Sequence, residues 1–315
     1  MSTQSLSAAS GLWGRHWQDG VGESVAIGGE TVDFADLWSP WFNSLPPGAQ
    51  LLDLACGAGS VSRLARQHPA DLAVTGVDIA DRLPEIDGVS LYPGVDLAAL
   101  PFQDTGFDGV MSQFGFEYAD TGPAAREAVR VLRPGGGLGL LVHAREGAIL
   151  ADTARRAVRA RAFVAPDGIV ETIRALLGIE AQTGREGLAG RADYLQLAQQ
   201  ATDRHRAARD SIAALPATDT AVDGLARLDA LWRERKTLTP DEALARANGI
   251  RDRIADYAAR LDALAAAARS ESDMAAMARL FTGLGVVLSP VEPVMRRNRQ
   301  FGWWLSGRKQ GAPEP

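Results

Sequence analysis

Between residues 50 and 143, short apolar runs alternate with segments whose apolar residues recur three and four positions apart. "QLLDLAC", "LAVTGVDI", "GVSLYPGVD", "FDGVMSQFG" and "GGLGLLVHA" have the length of strands, most of them apolar on both faces. "SVSRLARQH" and "PAAREAVRVL" have the spacing of helices apolar on one side. This alternation predicts an α/β fold with a parallel sheet covered on both faces. "RPGGG" reads as a helix stop, with glycines supplying positive φ and proline barring continuation.

After Arg145 the period changes. From about 147 to 282 the chain is rich in Ala, Arg, Leu, Asp and Glu and reads as helices throughout. "DEALARANGIRDRIADYAARLDALAAAARS" predicts one long amphipathic helix, with Thr239 as N-cap and Pro240 at its first position. "LPATDTAVDG" predicts a break before it. "LGVVLSPVEPV" and "QFGWWLSGRK", separated by "MRRNR", return to strand character and predict a hairpin-like pair completing the sheet. Three segments follow: 1–146 with N-terminal helices and the sheet core, 147–282 as a helical insertion, and 283–315 as the final two strands.

Composition narrows the function. A chain of 315 residues, 46% hydrophobic, can bury a large core, and a net charge of −6 argues against gripping a phosphate backbone over its whole surface. The single cysteine, Cys56, excludes an intramolecular disulfide and a multi-cysteine zinc site. Cys56 itself reads as a small buried residue. The four histidines form no HExxH pair, so no metal is expected. No basic segment leads into an apolar one near residue 1, and no apolar run reaches the roughly 18 residues of a membrane span. The expectation is a soluble cytoplasmic protein with no membrane partner.

The candidate chemistry begins at "LLDLACGAGS". Gly57 and Gly59 stand where the first strand gives way to a helix, the edge at which open α/β sheets bind ligands. Glycine there lets a ligand approach the backbone, and a helix N-terminus favours an anion. Asp78 closes the second strand 21 positions after Gly57, a spacing suited to a carboxylate that accepts from ribose hydroxyls. Nicotinamide enzymes share this arrangement. Their fingerprint asks for a third glycine where this chain has Ser62, which weakens that reading.

Residues 51–143 resemble the core of the class I S-adenosylmethionine-dependent methyltransferases, in the broad group often acting on small molecules. "LLDLACGAGSVS" is similar to their first motif and "GVDIA" to their second. "GVDLAALPFQDTGFDGVMSQFGFEYAD" and "REAVRVLRPGGGLGLLVH" resemble the later ones, in the right order over about 95 residues. The resemblance implies a Rossmann-like seven-stranded sheet, mostly parallel with an antiparallel last strand, and a large helical insertion between strands five and six. It implies S-adenosylmethionine as methyl donor, with S-adenosylhomocysteine as product. Asp53 and the backbone of Ala55, Gly57 and Gly59 would hold the methionine moiety, although Asp53 could equally fix the turn. Asp78 would bind the ribose, and Ile79 would lie on the adenine. Asp96 would accept from the adenine amino group, with the Leu97 amide on a ring nitrogen. The Gln113 carbonyl would take the methionine ammonium.

On the acceptor side, His143 ends the fifth strand and is a candidate base or a cap for a neighbouring loop. Phe114, Glu117 and Tyr118 are candidate pocket residues or core, and Arg145 is a candidate contact for a charged acceptor or a solvated rim residue. Trp13, His16 and Trp17 lie in a segment that often closes over the cofactor in this family, and Trp17 is a candidate substrate contact, with core packing of Trp13 and Trp17 on the helical block as the alternative. The base-amine motif of nucleic-acid methyltransferases is absent where "SQFG" stands, so no nucleic-acid partner is expected. The expected activity is methyl transfer to an oxygen or nitrogen of a small molecule. A peptide or protein acceptor, or a methyltransferase-like binding protein without turnover, are the alternatives. The insertion is expected to be a lid or substrate domain, or else a homodimer element.

Overall fold

The computed structural model describes residues 3–18, 25–27, 30–188, 190–215 and 219–311. The chain forms two compact units, Met1–Ala151 with Ala263–Pro315, and Asp152–Asp262.

In the first unit, α1 (Thr3–Gln18), β1 (Val25–Ile27), β2 (Glu30–Val32) and α2 (Ala35–Asn43) precede the sheet core. There follow β3 (Gln50–Leu54), α3 (Ser60–Arg66), β4 (Ala73–Asp78), β5 (Val89–Pro93), β6 (Phe107–Gln113), α4 (Thr121–Val131) and β7 (Leu132–His143). The helical block holds α5 (Ala148–Val164), α6 (Ile169–Thr183), α7 (Ala192–Ile212), α8 (Thr220–Glu234) and α9 (Pro240–Ala267). The chain then closes with α10 (Glu271–Gly283), β8 (Val286–Leu288), β9 (Glu292–Arg296) and β10 (Arg299–Lys309).

The main sheet runs β5-β4-β3-β6-β7-β10-β8, with β9 paired to β10. β3, β4, β5, β6 and β7 are mutually parallel, and β10 runs antiparallel to β7 and β8. This is the mostly parallel α/β sheet with an antiparallel last strand. From β3 the chain winds outward to β4 and β5, then returns to build β6 and β7 on the other side. The order therefore reverses between β3 and β6, and a crevice opens at their carboxyl ends.

Two-sided burial explains the unbroken apolar runs. Leu52 and Leu54 of β3 join one core with α4 and α10, while Leu51 faces the other with α2 and α3. Among the described residues, no helix is long and apolar enough to cross a membrane.

The "RPGGG" segment departs from the expected helix stop. α4 ends at Val131, and the next residue already opens β7. The pairing of β6 with β7 jumps from Phe107–Leu132 to Gly109–Gly137, and positive φ at Gly135 (77°) accommodates the extra residues as a bulge. The glycines also serve packing. The Trp41 indole lies on Gly109, Gly137 and Gly139, where an added Cβ would come within 2.9–3.4 Å of the ring. Its Nε1 donates to the Leu138 carbonyl at 3.2 Å.

The expected hairpin is β9–β10, turned by Arg297 and Asn298 with φ of 48° and 59°. Both central residues being left-handed is the two-residue turn whose twist suits antiparallel strands. "LGVVLSPVEPV", expected as a single strand, divides into β8 and β9.

The helical block is narrower than the sequence suggests. Its second unit spans Asp152–Asp262, because α10 sends Met274, Met277 and Phe281 into the sheet core. Within that unit, Phe163, Val170, Leu177, Leu228 and Ile254 belong to a separate core. The single helix expected after Pro240 forms as α9. Thr239 Oγ1 accepts from the Glu242 amide at 3.2 Å, while Glu242 accepts from the Thr239 amide at 2.8 Å.

Candidate functional site

The loop after β3 takes left-handed backbone at Ala55, Gly57 and Gly59, with φ of 53°, 51° and 78°. The two glycines are needed for space as well as for φ. A Cβ on Gly57 would sit 2.5 Å from the Trp17 ring, and one on Gly59 would overlap Ile86 Cδ1. Gly59 is the N-cap of α3, whose first amides face the crevice end of the sheet. Cys56 is buried, and burial pushes its thiol well above the ordinary value, as befits an inert core residue.

Asp78 ties this loop to β4. Its Oδ2 accepts from the Gly57 amide and its Oδ1 from the Ala80 amide, both at 2.9 Å. Burial raises its carboxyl, and the bonds from Ala80 and Gly57 oppose that rise. Asp53, on the neighbouring strand, accepts from Ser62 Oγ at 2.6 Å through Oδ2. Its Oδ1 is buried with no partner among the described residues. Burial pushes the Asp53 carboxyl up to about 7, with the Ser62 hydroxyl lowering it and the nearby Asp78 charge raising it. Ser62, noted in the sequence only as a missing glycine, is thus the anchor of Asp53.

The third group joins through backbone. The Gly94 amide donates to the Ala80 carbonyl and the Val95 amide to that of Asp78, both at 2.8 Å, which brings Asp96 beside β4. Asp96 Oδ1 accepts from the Ala98 amide at 2.9 Å, Leu97 is buried, and Ile79 is half-buried. Gln113 is the last residue of β6, and its Oε1 accepts from Trp38 Nε1 at 2.7 Å.

At the end of β6, Phe114 is left-handed (φ 56°), and a Cβ on Gly115 would lie 2.7 Å from that of Ala55. A short 3-10 turn, Phe116–Tyr118, follows. It places Glu117 Oε1 2.7 Å from His143 Nδ1 and 2.8 Å from the His143 amide. Phe114 stacks on the His143 ring at 4.3 Å, and Trp13 meets Tyr118 edge-on at 5.3 Å. Burial, with the Glu117 charge second, pushes the Tyr118 hydroxyl well above its ordinary range. Trp17 stacks with Trp13 at 5.8 Å. Arg145 turns away from this group: its Nη2 reaches the Ala268 carbonyl at 3.1 Å and Asp273 at 3.0 Å.

Against known proteins, residues 52–140 match the family described as Methyltransferase domain. This segment is a methyltransferase domain. An uncharacterised protein of Mycobacterium tuberculosis is 37% identical over 113 residues, 32% of this chain and 39% of the relative. The demethylmenaquinone methyltransferase of Thermotoga maritima is 37% identical over 97 residues, 29% of this chain and 42% of the relative. The solved structure of the YcgJ protein from Bacillus subtilis matches at 24% identity and a TM-score of 0.33, covering 40% of this chain and 58% of that one. The chain spans about two fifths of the length of the curated relatives it matches.

Most of the residues singled out from the sequence lie within the methyltransferase domain, Asp53 to Tyr118 among them. His143, Arg145 and Trp17 lie outside its matched span. The fold brings His143 and Trp17 to the domain's crevice residues, through Glu117 and Gly57 respectively, and draws Arg145 to the segment before α10. Trp38 and Ser62 were missed as supports. Each acts through a contact made only on folding, and no local signal marks either.

Proposed function

We propose that the protein transfers a methyl group from S-adenosylmethionine to an oxygen or nitrogen of a small-molecule acceptor. The observation that carries this reading is the Asp78 carboxylate, buried at the carboxyl end of β4 and tied to the glycine loop through the Gly57 amide. Its oxygens accept the Gly57 and Ala80 amides, and a carboxylate has acceptor capacity beyond these bonds, which suits ribose hydroxyls. The buried, unpartnered Asp53 Oδ1 suits a cationic donor such as an ammonium, so the residues fit the methyl donor. When bound, that donor supplies an electrophilic methyl on a sulfonium and departs as a neutral thioether. Asp53 and the 55–59 backbone would hold the amino-acid end. Ile79, Asp96 and the Leu97 amide would take the adenine, and the Gln113 carbonyl the ammonium. Phe114, Tyr118 and Trp17 would shield the acceptor from water, and His143 would take its proton. The Thermotoga relative is named for demethylmenaquinone, which supports a small acceptor.

Calorimetric titration with S-adenosylmethionine, S-adenosylhomocysteine and NAD tests the reading, using the native chain, Asp78→Asn and Asp78→Ala. The expected result is binding of the first two, weakened roughly 10- to 100-fold or more in the variants, since hydrogen bonds to a charged group contribute about 1.5–3 kcal/mol. No binding of either, or a preference for NAD, would overturn it.

A further inference from the structure

Glu117, a candidate pocket or core residue from the sequence, is engaged with His143. It is 1% exposed, and its Oε1 meets both the main-chain N–H and Nδ1 of His143, itself 4% exposed. The turn that carries Glu117 is held from two sides. Ser112 Oγ accepts the Phe116 amide at 3.0 Å, and Arg269 Nη2 donates to the Glu117 carbonyl at 2.8 Å. The Arg269 amide donates to the His143 carbonyl at 2.8 Å, so one residue fixes both partners. Phe114 lies against one face of the imidazole with 29° between planes, and Tyr118 stands edge-on at 6.2 Å. The ring has a defined orientation. With Nδ1 turned to a carboxylate, the neutral ring carries its hydrogen there and its lone pair on Nε2. Among the described residues no hydrogen-bond partner faces Nε2.

We propose that Glu117 is a positioning residue that holds His143 as the Nδ1–H tautomer, so that Nε2 takes the proton of a hydroxyl carried on an aromatic ring. This rests on the methyl-transfer reading and narrows its acceptor from oxygen or nitrogen to oxygen. A neutral amine attacks with its own lone pair and loses a proton afterwards, whereas a hydroxyl is a weak nucleophile until its proton leaves. A buried base with a buried carboxylate behind it serves the second case. Glu117 Oε2 is buried without a partner, and a glutamine there would still accept the main-chain N–H through its carbonyl but would carry no charge. The charge has a use once the imidazole becomes a cation. In the step, the acceptor O–H bond breaks as its proton moves to Nε2, and the oxygen forms its bond to the methyl carbon. The C–S bond breaks with its electron pair kept on sulfur, and the imidazolium later returns its proton to water. Phe114 and Tyr118 lie beside the base and Trp13 lies on Tyr118, so the surroundings are aromatic, which suits a flat acceptor.

The test reads the tautomer directly. Nitrogen-15 NMR of the full chain should show His143 protonated at Nδ1 and bare at Nε2 in its neutral form. Glu117→Ala should lose that preference while binding S-adenosylhomocysteine within about twofold of the native chain. Turnover is then measured with labelled S-adenosylmethionine on shape-matched pairs of phenols and anilines. The expected product is the phenyl ether, and Glu117→Gln should lower kcat about 10²- to 10⁴-fold, the usual range for general-base catalysis, with KM nearly unchanged. Protonation at Nε2 in the native chain, an unaltered tautomer in Glu117→Ala, or equal turnover of anilines would each overturn the proposal. Should Glu117→Ala fail to fold, Glu117→Asp, which withdraws the carboxylate by one methylene, replaces it in the same measurements. Absence of S-adenosylmethionine binding would sink the methyl-transfer reading, and the tautomer would still decide the role of Glu117.

Discussion

At Asp53, burial and chemistry meet in a single side chain. Its carboxyl is pushed from an ordinary 3.8 to about 7, and Asp78 beside it is raised in the same direction. Between about pH 4 and 7 the unfolded chain releases a proton that folded Asp53 retains. The folded state therefore binds more protons, and stability falls as pH rises through that window. Above about 7 the loss levels off. The full shift corresponds to on the order of 4 kcal/mol at most, since each unit of pKa is about 1.4 kcal/mol. Urea unfolding across pH 4–8 should show this decline in the native chain and a shallower one in Asp53→Asn, which keeps an acceptor for Ser62 and cannot ionise. An equal slope in both proteins would assign the decline to other groups.

Two elements carry local features whose removal has a definite expected effect. Gly139 of β7 faces three indoles, and a Cβ there would sit 2.9 Å from Trp41 and 3.1 Å from both Trp304 and Trp38. These rings are buried and pack against one another, so none has room to withdraw. Gly139→Ala should cost about 1–3 kcal/mol, read as a lower urea midpoint at constant slope. α10 begins with a capping box, in which Ser270 Oγ accepts from the Asp273 amide at 3.2 Å and Asp273 accepts from the Ser270 amide at 2.9 Å. Ser270→Ala should cost about 1 kcal/mol and speed hydrogen exchange across the first turn of α10. The cap is readable in the sequence, because its partners lie three residues apart. The demand for glycine at 139 is not, because the three tryptophans come from α2 and β10.

At the scale of the whole molecule, the two units have separate cores. The residues proposed to hold the methyl donor all belong to the first. S-adenosylhomocysteine at about 100 times its Kd should stabilise the unit that binds it by about 2.7 kcal/mol. Hydrogen exchange with and without it should slow over 53–59, 78–80 and 94–98 and remain unchanged over 169–212. Equal slowing in both would show that the ligand's effect extends beyond the first unit.

The alternation of strand and helix, the glycine loop after β3, the carboxylate at the end of β4 and the long helix after Pro240 are all legible in the amino-acid order. These are matters of short range: two-faced burial writes an apolar run, and caps and turns are built from neighbours. That "RPGGG" is a bulge rather than a cap, that α10 packs into the sheet core, and that Arg145 faces the segment before α10 emerge only on folding. Folding also sets Glu117 against His143, 26 positions apart, and Ser62 against Asp53. Those outcomes depend on which surfaces meet when the chain closes, and local propensity carries no record of that.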